Sequence, residues 1–189
     1  MIDPGAAIRT PRLALIPLTL EMVRATLRGK AVLAEQLGLR VPDEWPGPDF
    51  EDILLLIEME LERDPQRSVW ERTIVHLADR ILIGGIGCKG RPDDAGMVEI
   101  GYNIVPAYQR QGYASEAARG LVKWLWEQPD VRRITADCRP DNAGSIRVLE
   151  GLGMIRVASE SDDALLHWEL HRQQTSGATT GATGKPGTP

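Results

Sequence analysis

The sequence predicts a mixed α/β protein in which helices pack on both faces of a sheet. Residues 98–104 alternate apolar and polar side chains as a strand does, and the helical pattern that begins at Gly112 places its apolar side chains on one stripe. Further β-branched runs and helical patterns flank this unit. At 189 residues, 42% apolar and 26% charged, the chain has the length and composition of one globular domain. We therefore expect a mixed sheet of about six or seven strands.

The first 65 residues predict mainly helices and a proline-rich loop. Residues 1–9 show no period, and Trp45 either lines a pocket beneath the loop or, as we expect, anchors the loop by a hydrophobic contact. In chain order, the predicted elements are a strand at 12–17, a helix from Thr19 to about Arg28, a helix at 30–37 that Gly38 ends, a loop at 38–48 and a helix from about Asp49 that Pro65 ends. The segment of about 18–65 is expected to form a lid.

The remaining residues predict most of the sheet. In chain order, these elements are strands at 68–77 and 81–88 joined by a turn, the central strand at 98–104 that Pro106 stops, the helix from Gly112, a strand at 133–138, a helix from Asn142 to Gly153, and strands at 154–158 and 164–170. Gly85, Gly87 and Gly90 match Gly-x-Gly-x-x-Gly. A turn at 91–96 follows them instead of the helix that a dinucleotide site requires, so we assign them to a strand end or a bulge.

The charge and the cysteine content exclude several classes of function. A net charge of −5 and a pI near 5.3 argue against a general nucleic-acid binder and suit a cationic ligand such as an amine. No apolar run of membrane-spanning length and no signal-peptide pattern is visible. Cys88 and Cys138 lack metal-site spacing and are expected to be free, buried thiols in a reducing cytoplasm. The three histidines are scattered, so neither a metal site nor a histidine-centred mechanism is predicted.

The loop that feeds the central helix has the composition of an anion-binding site. It reads Gln109-Arg110-Gln111-Gly112-Tyr113-Ala114. Gly112 and Ala114 leave no bulk above the unpaired N–H groups of the first helical turn, and Arg110 adds positive charge. A pyrophosphate is the natural ligand, although an ordinary strand-loop-helix connection explains the loop alone equally well. The surrounding sequence decides between the two interpretations.

Two motifs in this order resemble those of the GNAT superfamily of N-acetyltransferases. The first is Gln109-x-x-Gly112-x-Ala114 after a strand that ends Ile-Val-Pro, and the family signature is Gln/Arg-x-x-Gly-x-Gly/Ala. The second, about 30 residues later, begins Asn142-Ala-Gly-Ser145 and is similar to a family helix that starts Asn-x-x-Ser/Ala. The opening at 9–15 and the Ser-Ile-Arg-Val-Leu-Glu helix resemble the branch of ribosomal-protein N-terminal (alanine) acetyltransferases.

The resemblance implies a domain organisation and a fold. It implies the GNAT fold, with a mixed, mostly antiparallel sheet and helices on both faces. A single domain would span 1–172, with the acetyl-CoA core at about 68–170 and the acceptor lid at about 18–65. The tail at 173–189 carries no large apolar side chain and is predicted to be disordered.

The resemblance also assigns residues to acetyl-CoA. A splayed central strand would leave the backbone groups of Ile104 and Val105 to pair with the pantetheine arm. The pyrophosphate would lie on the N–H groups of Gln111, Gly112, Tyr113 and Ala114, with Gln109 and Arg110 assisting. Asn142 would contact the pantetheine while capping its helix. Ser145 would protonate the leaving thiolate, the alternative being a solvent-facing or backbone-bonded helical serine. Leu149 stands where many relatives carry an acidic tyrosine, so a water or a group elsewhere could also be the acid.

Glu99 is the candidate base, because an alkylammonium must lose a proton before it can attack a thioester. It lies on the polar face of the central strand and could act through a water; the alternative is an exposed or ion-paired strand glutamate. No activated Cys or Ser is evident, so direct attack is preferred. The predicted function is acetyl-CoA-dependent N-acetylation of a primary amine, on a protein N-terminus or a small molecule. The alternative is a catalytically idle acyl-CoA-binding module. We expect a cytoplasmic monomer or homodimer without metal, nucleic-acid or membrane partners.

Overall fold

A computed structural model of the protein describes residues 7–158 and 164–172, so the predicted disorder of 173–189 lies outside the described residues. The strands are β1 (Ile8–Arg9), β2 (Leu13–Pro17), β3 (Glu71–His76), β4 (Ile81–Cys88), β5 (Met97–Ile104), β6 (Arg133–Cys138), β7 (Ile155–Val157) and β8 (Leu166–His171). The helices are α1 (Leu20–Arg28), α2 (Lys30–Leu37), α3 (Pro48–Glu51), α4 (Leu54–Arg63), α5 (Tyr113–Glu127) and α6 (Ala143–Gly151). The predicted mixed α/β class is therefore confirmed.

The strands form a single sheet in the order β1-β2-β3-β4-β5-β6-β8-β7. Within the described residues it has eight strands, slightly more than the six or seven predicted. The main addition is β1, which has only two residues and so shows no alternation in the sequence. Every neighbouring pair is antiparallel except β5 and β6, which run parallel because α5 crosses over between them.

Two hydrophobic cores lie on opposite faces of the sheet. Strand β2 supplies both, since Leu13 and Leu15 belong to the core beneath α5, whereas Ala14 and Ile16 belong to the core beneath α1 and α4. The sheet is therefore covered on both sides, and β2 and β4 are buried along their whole length. Among the described residues, no helix combines the length and the apolar character needed to cross a bilayer.

Several predicted boundaries hold and two do not. The Thr19 hydroxyl accepts the Met22 N–H at 3.3 Å as a helix cap, and Gly38 ends α2 with a φ of 61°. The single helix predicted from Asp49 is broken into α3 and α4. The strand predicted from Ser68 begins at Glu71, because a 3-10 turn capped by the Asp64 side chain occupies Pro65–Val69.

The glycine-rich strand β4 contains the irregularity expected of it. Val75 pairs with Leu82 and Ile74 pairs with Gly84, so Ile83 is an extra residue that shifts the register. Trp45 is buried, with only 1% of its surface exposed, and packs on Phe50 with ring centroids 5.3 Å apart. It therefore anchors the loop of the lid against the sheet, the role favoured from the sequence.

Candidate active site

The central strand β5 opens away from its parallel neighbour. It pairs with β6 only at Met97, Val98 and Glu99, whereas its pairing with β4 continues to Ile104. Beyond Glu99, one edge of β5 therefore faces a gap between the two strands. Backbone groups along that edge are available to an extended ligand, as a sheet edge is to an added strand.

The register decides which backbone groups face this gap, and it changes one predicted contact. The Val105 N–H donates to the Ile83 carbonyl at 2.8 Å, and the Val105 carbonyl accepts the Tyr108 N–H at 2.9 Å. Val105 therefore points its backbone groups into the protein, and its predicted role in pairing with a pantetheine arm is not supported by the geometry. Successive residues of an antiparallel strand point their backbone N–H and C=O groups to opposite edges. The backbone groups of Tyr102 and Ile104 therefore point toward the gap. The Ile104 carbonyl accepts the Gln109 side-chain amide at 2.8 Å.

Helix α5 begins at the open end of β5. Gly112 is its N-cap and has a φ of 82°, a left-handed conformation that glycine adopts without strain. Arg110 is also left-handed, with a φ of 60°, so the chain turns sharply twice before the helix. The loop from Gln109 to Gly112 is exposed, and the first N–H groups of a 15-residue helix point out of it. This arrangement can bind a pyrophosphate.

Arg12 clamps this loop onto the N-terminal hairpin. Its Nη1 donates to the Gln111 carbonyl at 3.1 Å, and its guanidinium lies 4.3 Å from the centre of the Tyr113 ring. Its Nε donates to Glu116 at 2.6 Å, and the Thr10 hydroxyl donates to the same carboxylate at 2.6 Å. Burial opposes ionisation of Glu116, but these hydrogen bonds outweigh it and lower its pKa below the usual value. The first turn of α5 is thus fixed by charge-assisted bonds.

A buried polar cluster supports the same loop from below. The Tyr113 hydroxyl lies 3.1 Å from His76 Nε2, and His76 Nδ1 lies 3.0 Å from Asp79. Tyr108, on the other side of the loop, donates to Asp79 at 2.7 Å. Tyr113 therefore offers its backbone N–H to the loop while its side chain is anchored in the core. No pattern in the sequence places His76 near the loop, because it lies 37 positions before Tyr113.

The second motif forms the start of α6. The Asn142 side chain accepts the Ser145 N–H at 3.0 Å, so the predicted capping role is confirmed. Ser145 is partly exposed at the first turn, as a group that contacts a bound thioester needs to be. Leu149 has 1% of its surface exposed and packs in the core. An acid from that position of the helix is absent, and the packing explains why an apolar residue fits there.

Tyr102 is a candidate that the sequence analysis missed. Its hydroxyl reaches from β5 across to α6 and lies 3.4 Å from the Ser145 carbonyl, a weak hydrogen bond. Burial raises the pKa of Tyr102 to about 12, so the phenol is protonated at neutral pH. In the sequence, Tyr102 has the same period as Val98 and Ile100, which are buried, and this pattern hid its polar end. It brings a second hydroxyl to the place predicted for Ser145.

Glu99 lies where the strand pattern placed it, on the polar face of β5, but it has a partner. Its carboxylate is ion paired with Lys89, the residue that follows β4, whose backbone N–H also donates to the Glu99 carbonyl at 2.9 Å. The side chain of Glu99 is 26% exposed. A proton transfer to Glu99 would therefore compete with this ion pair. An ion-paired strand glutamate was the alternative interpretation of Glu99 from the sequence.

A cavity opens on the same face of the sheet, beneath the lid. It has a volume of about 230 Å³ and includes β5 residues 101–103, the segment whose other edge faces the gap. Phe50 and Ile53 of the lid supply apolar walls, and Glu71 at the start of β3 supplies a carboxyl. Burial raises the pKa of Glu71 to about 8, with Glu60 adding to the shift and Arg67 opposing it. Among the described residues, no group of acidic, cysteine or histidine side chains is arranged to bind a metal.

Comparisons with known proteins agree with this arrangement. The family model for the acetyltransferase (GNAT) domain matches residues 12–155. The uncharacterized N-acetyltransferase YjdG of Bacillus subtilis (strain 168) is 34% identical over 149 residues, which cover 78% of this chain and 89% of that protein. The family match includes both the N-terminal helices and most of the sheet.

Solved structures of low sequence identity share the fold. The ribosomal L7/L12 alpha-N-protein acetyltransferase RimL, in complex with coenzyme A, superposes with a TM-score of 0.59 at 17% identity, covering 87% of this chain and 97% of that one. An acetyl transferase from Salmonella typhimurium, described as modifying the N-terminal serine of the 50S subunit protein L7/L12, gives 0.59 at 15% identity, covering 88% and 99%. The chain is therefore an acetyltransferase that belongs to the GNAT family.

Proposed function

We propose that this enzyme transfers the acetyl group of acetyl-CoA to a primary amine by direct attack. The observation that carries the proposal is the continuity of one structural unit. A strand edge that opens at Ile100 leads, through a 3-10 turn at Pro106–Tyr108 and a short loop, to a helix N-terminus capped by Gly112. A ligand with an extended amide arm and a pyrophosphate matches both parts, because the arm pairs with a strand edge and the pyrophosphate binds N–H groups.

The residues on this unit have distinct roles in the proposal. The backbone groups of Tyr102 and Ile104 bind the pantetheine arm, and Asn142 contacts it from the start of α6. The pyrophosphate lies on the N–H groups of Gln111, Gly112, Tyr113 and Ala114, with the side chains of Gln109 and Arg110 beside it. Gln109 exchanges its bond to the Ile104 carbonyl for one to the ligand. Arg12 and the His76 cluster keep the loop in shape without touching the cosubstrate.

The chemistry requires a proton acceptor for the amine and a proton donor for sulfur. The neutral amine attacks the thioester carbonyl carbon, a C–N bond forms, and the C–S bond then breaks with its electrons left on sulfur. In this proposal, the hydroxyl of Tyr102 or Ser145 gives that sulfur a proton. The hydroxyl regains a proton from the amine nitrogen as the amide forms. Glu99, the base predicted from the sequence, is ion paired with Lys89, so it could take the proton of the amine only through a water or after Lys89 moves.

Support for an amine acceptor comes from the relatives. YjdG carries the description N-acetyltransferase, and two structural neighbours act on ribosomal protein N-termini. The acidic charge of −5 suits a cationic acceptor. Both a protein N-terminus and a small-molecule amine fit this proposal.

Calorimetric titration with acetyl-CoA tests the cosubstrate site. We expect saturable binding to the wild type and a loss of at least about 100-fold in Gly112→Glu, because a carboxylate there repels the pyrophosphate. Gly38→Glu is the matched control, since Gly38 is also left-handed and a Cβ there has open space, yet it ends α2 within the lid. Equal affinities of the two variants would contradict the proposed site. Release of free thiol with an amine would then separate an active enzyme from an acyl-CoA-binding module.

A further inference from the structure

Glu71 occupies a position that the glycines of β4 and β5 create. It pairs with Gly87, which pairs in turn with Gly101, so the three residues lie side by side across β3, β4 and β5. A side chain at Gly87 would collide with the Glu71 carboxylate, and would also lie 2.7 Å from the Trp70 carbonyl. At Gly101, a Cβ would have no described atom within 4 Å. The glycines thus leave the floor of the cavity bare between Glu71 and the open strand.

The surroundings of this carboxyl favour a cation that comes from outside. Arg67, on the 3-10 turn, is engaged by Glu60 of α4 at 2.9 Å. Lys89, at the rim, is ion paired with Glu99. The titratable and charged groups nearest to Glu71 are Arg67, Glu60, Cys88 and Lys89. The guanidinium of the next residue, Arg72, lies over the Trp124 ring. Arg67 and Lys89 therefore already have carboxylate partners, and Glu71 remains largely uncharged at pH 7 because burial raises its pKa to about 8.

We propose that the Glu71 carboxyl is the amine-binding group of the acceptor site and takes the first proton from the acceptor. This inference rests on the proposed function and specifies its acceptor side. The acceptor is a primary ammonium with apolar atoms that contact Phe50 and Ile53. As the ammonium binds, Glu71 gives its own proton to the solvent and meets the ammonium as a carboxylate. One N–H bond of the ammonium then breaks, and that proton passes to a carboxylate oxygen. The nitrogen keeps the electron pair with which it attacks the thioester. Glu71 later releases the proton to water.

The proposal predicts a proton count that no purely structural role would produce. Free Glu71 is mostly protonated at pH 7, whereas a pair formed with an ammonium carries one proton fewer than the separate partners. Binding of an amine should therefore release close to one proton to the buffer. A carboxylate that was ionised before the amine bound would release none.

The experiment is calorimetry of the protein saturated with coenzyme A, which cannot transfer an acetyl group. Benzylamine is titrated at pH 7 in phosphate and in Tris, whose ionisation enthalpies differ. We expect the wild type to release nearly one proton, and Glu71→Gln to release none and to bind about 30-fold more weakly. Glu62→Gln, an α4 glutamate that pairs with Arg24, is the matched control and should behave as the wild type. Glu71→Asp should restore part of the proton release.

The outcomes separate this inference from the proposed function. Equal proton release from the wild type and Glu71→Gln, or none from either, would overturn the assignment of Glu71. Coenzyme A affinity and melting temperature like those of the wild type establish that Glu71→Gln is folded. If acetyl-CoA is then turned over at the same rate by both proteins, acetyl transfer stands and the Glu71 site fails. If protons are released but no amine is acetylated, the site stands and acetyl transfer fails. A short alanine-terminated peptide in place of benzylamine distinguishes a peptide source from a small amine.

Discussion

The cosubstrate side and the acceptor side of this enzyme are built from different kinds of atom. The proposed cosubstrate side is made of backbone groups, on the β5 edge and at the start of α5, that an exposed bond from Arg12 and a buried bond from Tyr113 keep in place. The acceptor side is made of side chains, chiefly Phe50, Ile53 and Glu71, that come from separate segments around a floor of glycines. Backbone recognition suits a ligand that is the same in every turnover. Side-chain recognition can be changed residue by residue, so it suits the partner that differs between relatives.

The largest effect should come from the point where the two sides meet. Tyr102→Phe removes a hydroxyl but keeps the packing, and we expect kcat to fall about 100-fold because the thiolate loses a proton donor. The affinity for acetyl-CoA should change little, since the Tyr102 backbone is unaltered. Stopped assays that measure free thiol at saturating amine provide the rate.

Ser145→Ala is the control for this prediction, because the Tyr102 hydroxyl lies 3.4 Å from the backbone carbonyl of Ser145, the other proposed acid. A larger loss of kcat in Ser145→Ala than in Tyr102→Phe would return the acid role to the residue predicted from the sequence. Such a result would also place the acid on α6 rather than on the strand.

On the acceptor side, Glu71→Gln should act on the amine and leave the cosubstrate alone. We expect kcat/KM for the amine to fall about 30-fold at pH 7, with the affinity for acetyl-CoA unchanged. Glu99→Gln should lower kcat/KM for the amine only a few-fold, because Glu99 is already paired with Lys89. Steady-state kinetics with each substrate varied in turn measure both constants. If Glu99→Gln lowered kcat/KM for the amine more than Glu71→Gln does, Glu99 rather than Glu71 would be the base.

On the cosubstrate side, Arg12→Met should affect acetyl-CoA and leave the amine alone, the reverse of Glu71→Gln. The substitution keeps most of the side-chain volume but removes the bonds to Gln111 and Glu116, so the loop loosens. We expect acetyl-CoA to bind about five- to tenfold more weakly, with the KM for the amine unchanged. Calorimetry measures the affinity for acetyl-CoA, and steady-state kinetics measure the KM for the amine. A change in the amine KM without a change in acetyl-CoA affinity would contradict this prediction.

The same clamp has a pH dependence. The pKa of Glu116 lies below its ordinary value of 4.5, so its contribution to stability is present above that value and is lost as the pH falls through the folded pKa. The difference in melting temperature between the wild type and Arg12→Met should therefore narrow below pH 4.5. Thermal unfolding between pH 3 and pH 7 tests this.

The smallest expected effect is a pH-dependent change in melting temperature that comes from Glu71 on the acceptor side. The pKa of Glu71 is raised from 4.5 to about 8, so its contribution to stability is full below pH 4.5 and is lost as the pH rises through 8. Glu71→Gln cannot ionise, and its melting temperature relative to the wild type should rise by about a few degrees between pH 5 and pH 8. Thermal unfolding across that range measures the difference. Parallel curves would mean that Glu71 is ionised throughout.

The sequence predicted the regular parts of the fold for clear reasons. Apolar side chains at helical spacing identified α5, and caps at Thr19 and Asn142 marked where α1 and α6 begin. It did not predict β1, which is too short to show a period, or the break between α3 and α4. The geometry does not support the predicted pairing role of Val105, because the register between β5 and β4 turns its N–H toward Ile83. Register is a property of two strands, so neither strand shows it alone.

The sequence alone was enough to predict the family, most of the element order and a candidate cosubstrate loop. A helix N-terminus that binds a phosphate group needs glycine and small residues at fixed spacing, and Gln109, Gly112 and Ala114 display this locally. Only the tertiary structure showed which side chains are candidates for the chemistry. Glu71 is 30 residues from Gly101 along the chain, and Tyr102 had the pattern of a core residue until α6 was placed beside it. Burial, pairing and pKa depend on neighbours that only the folded chain brings together.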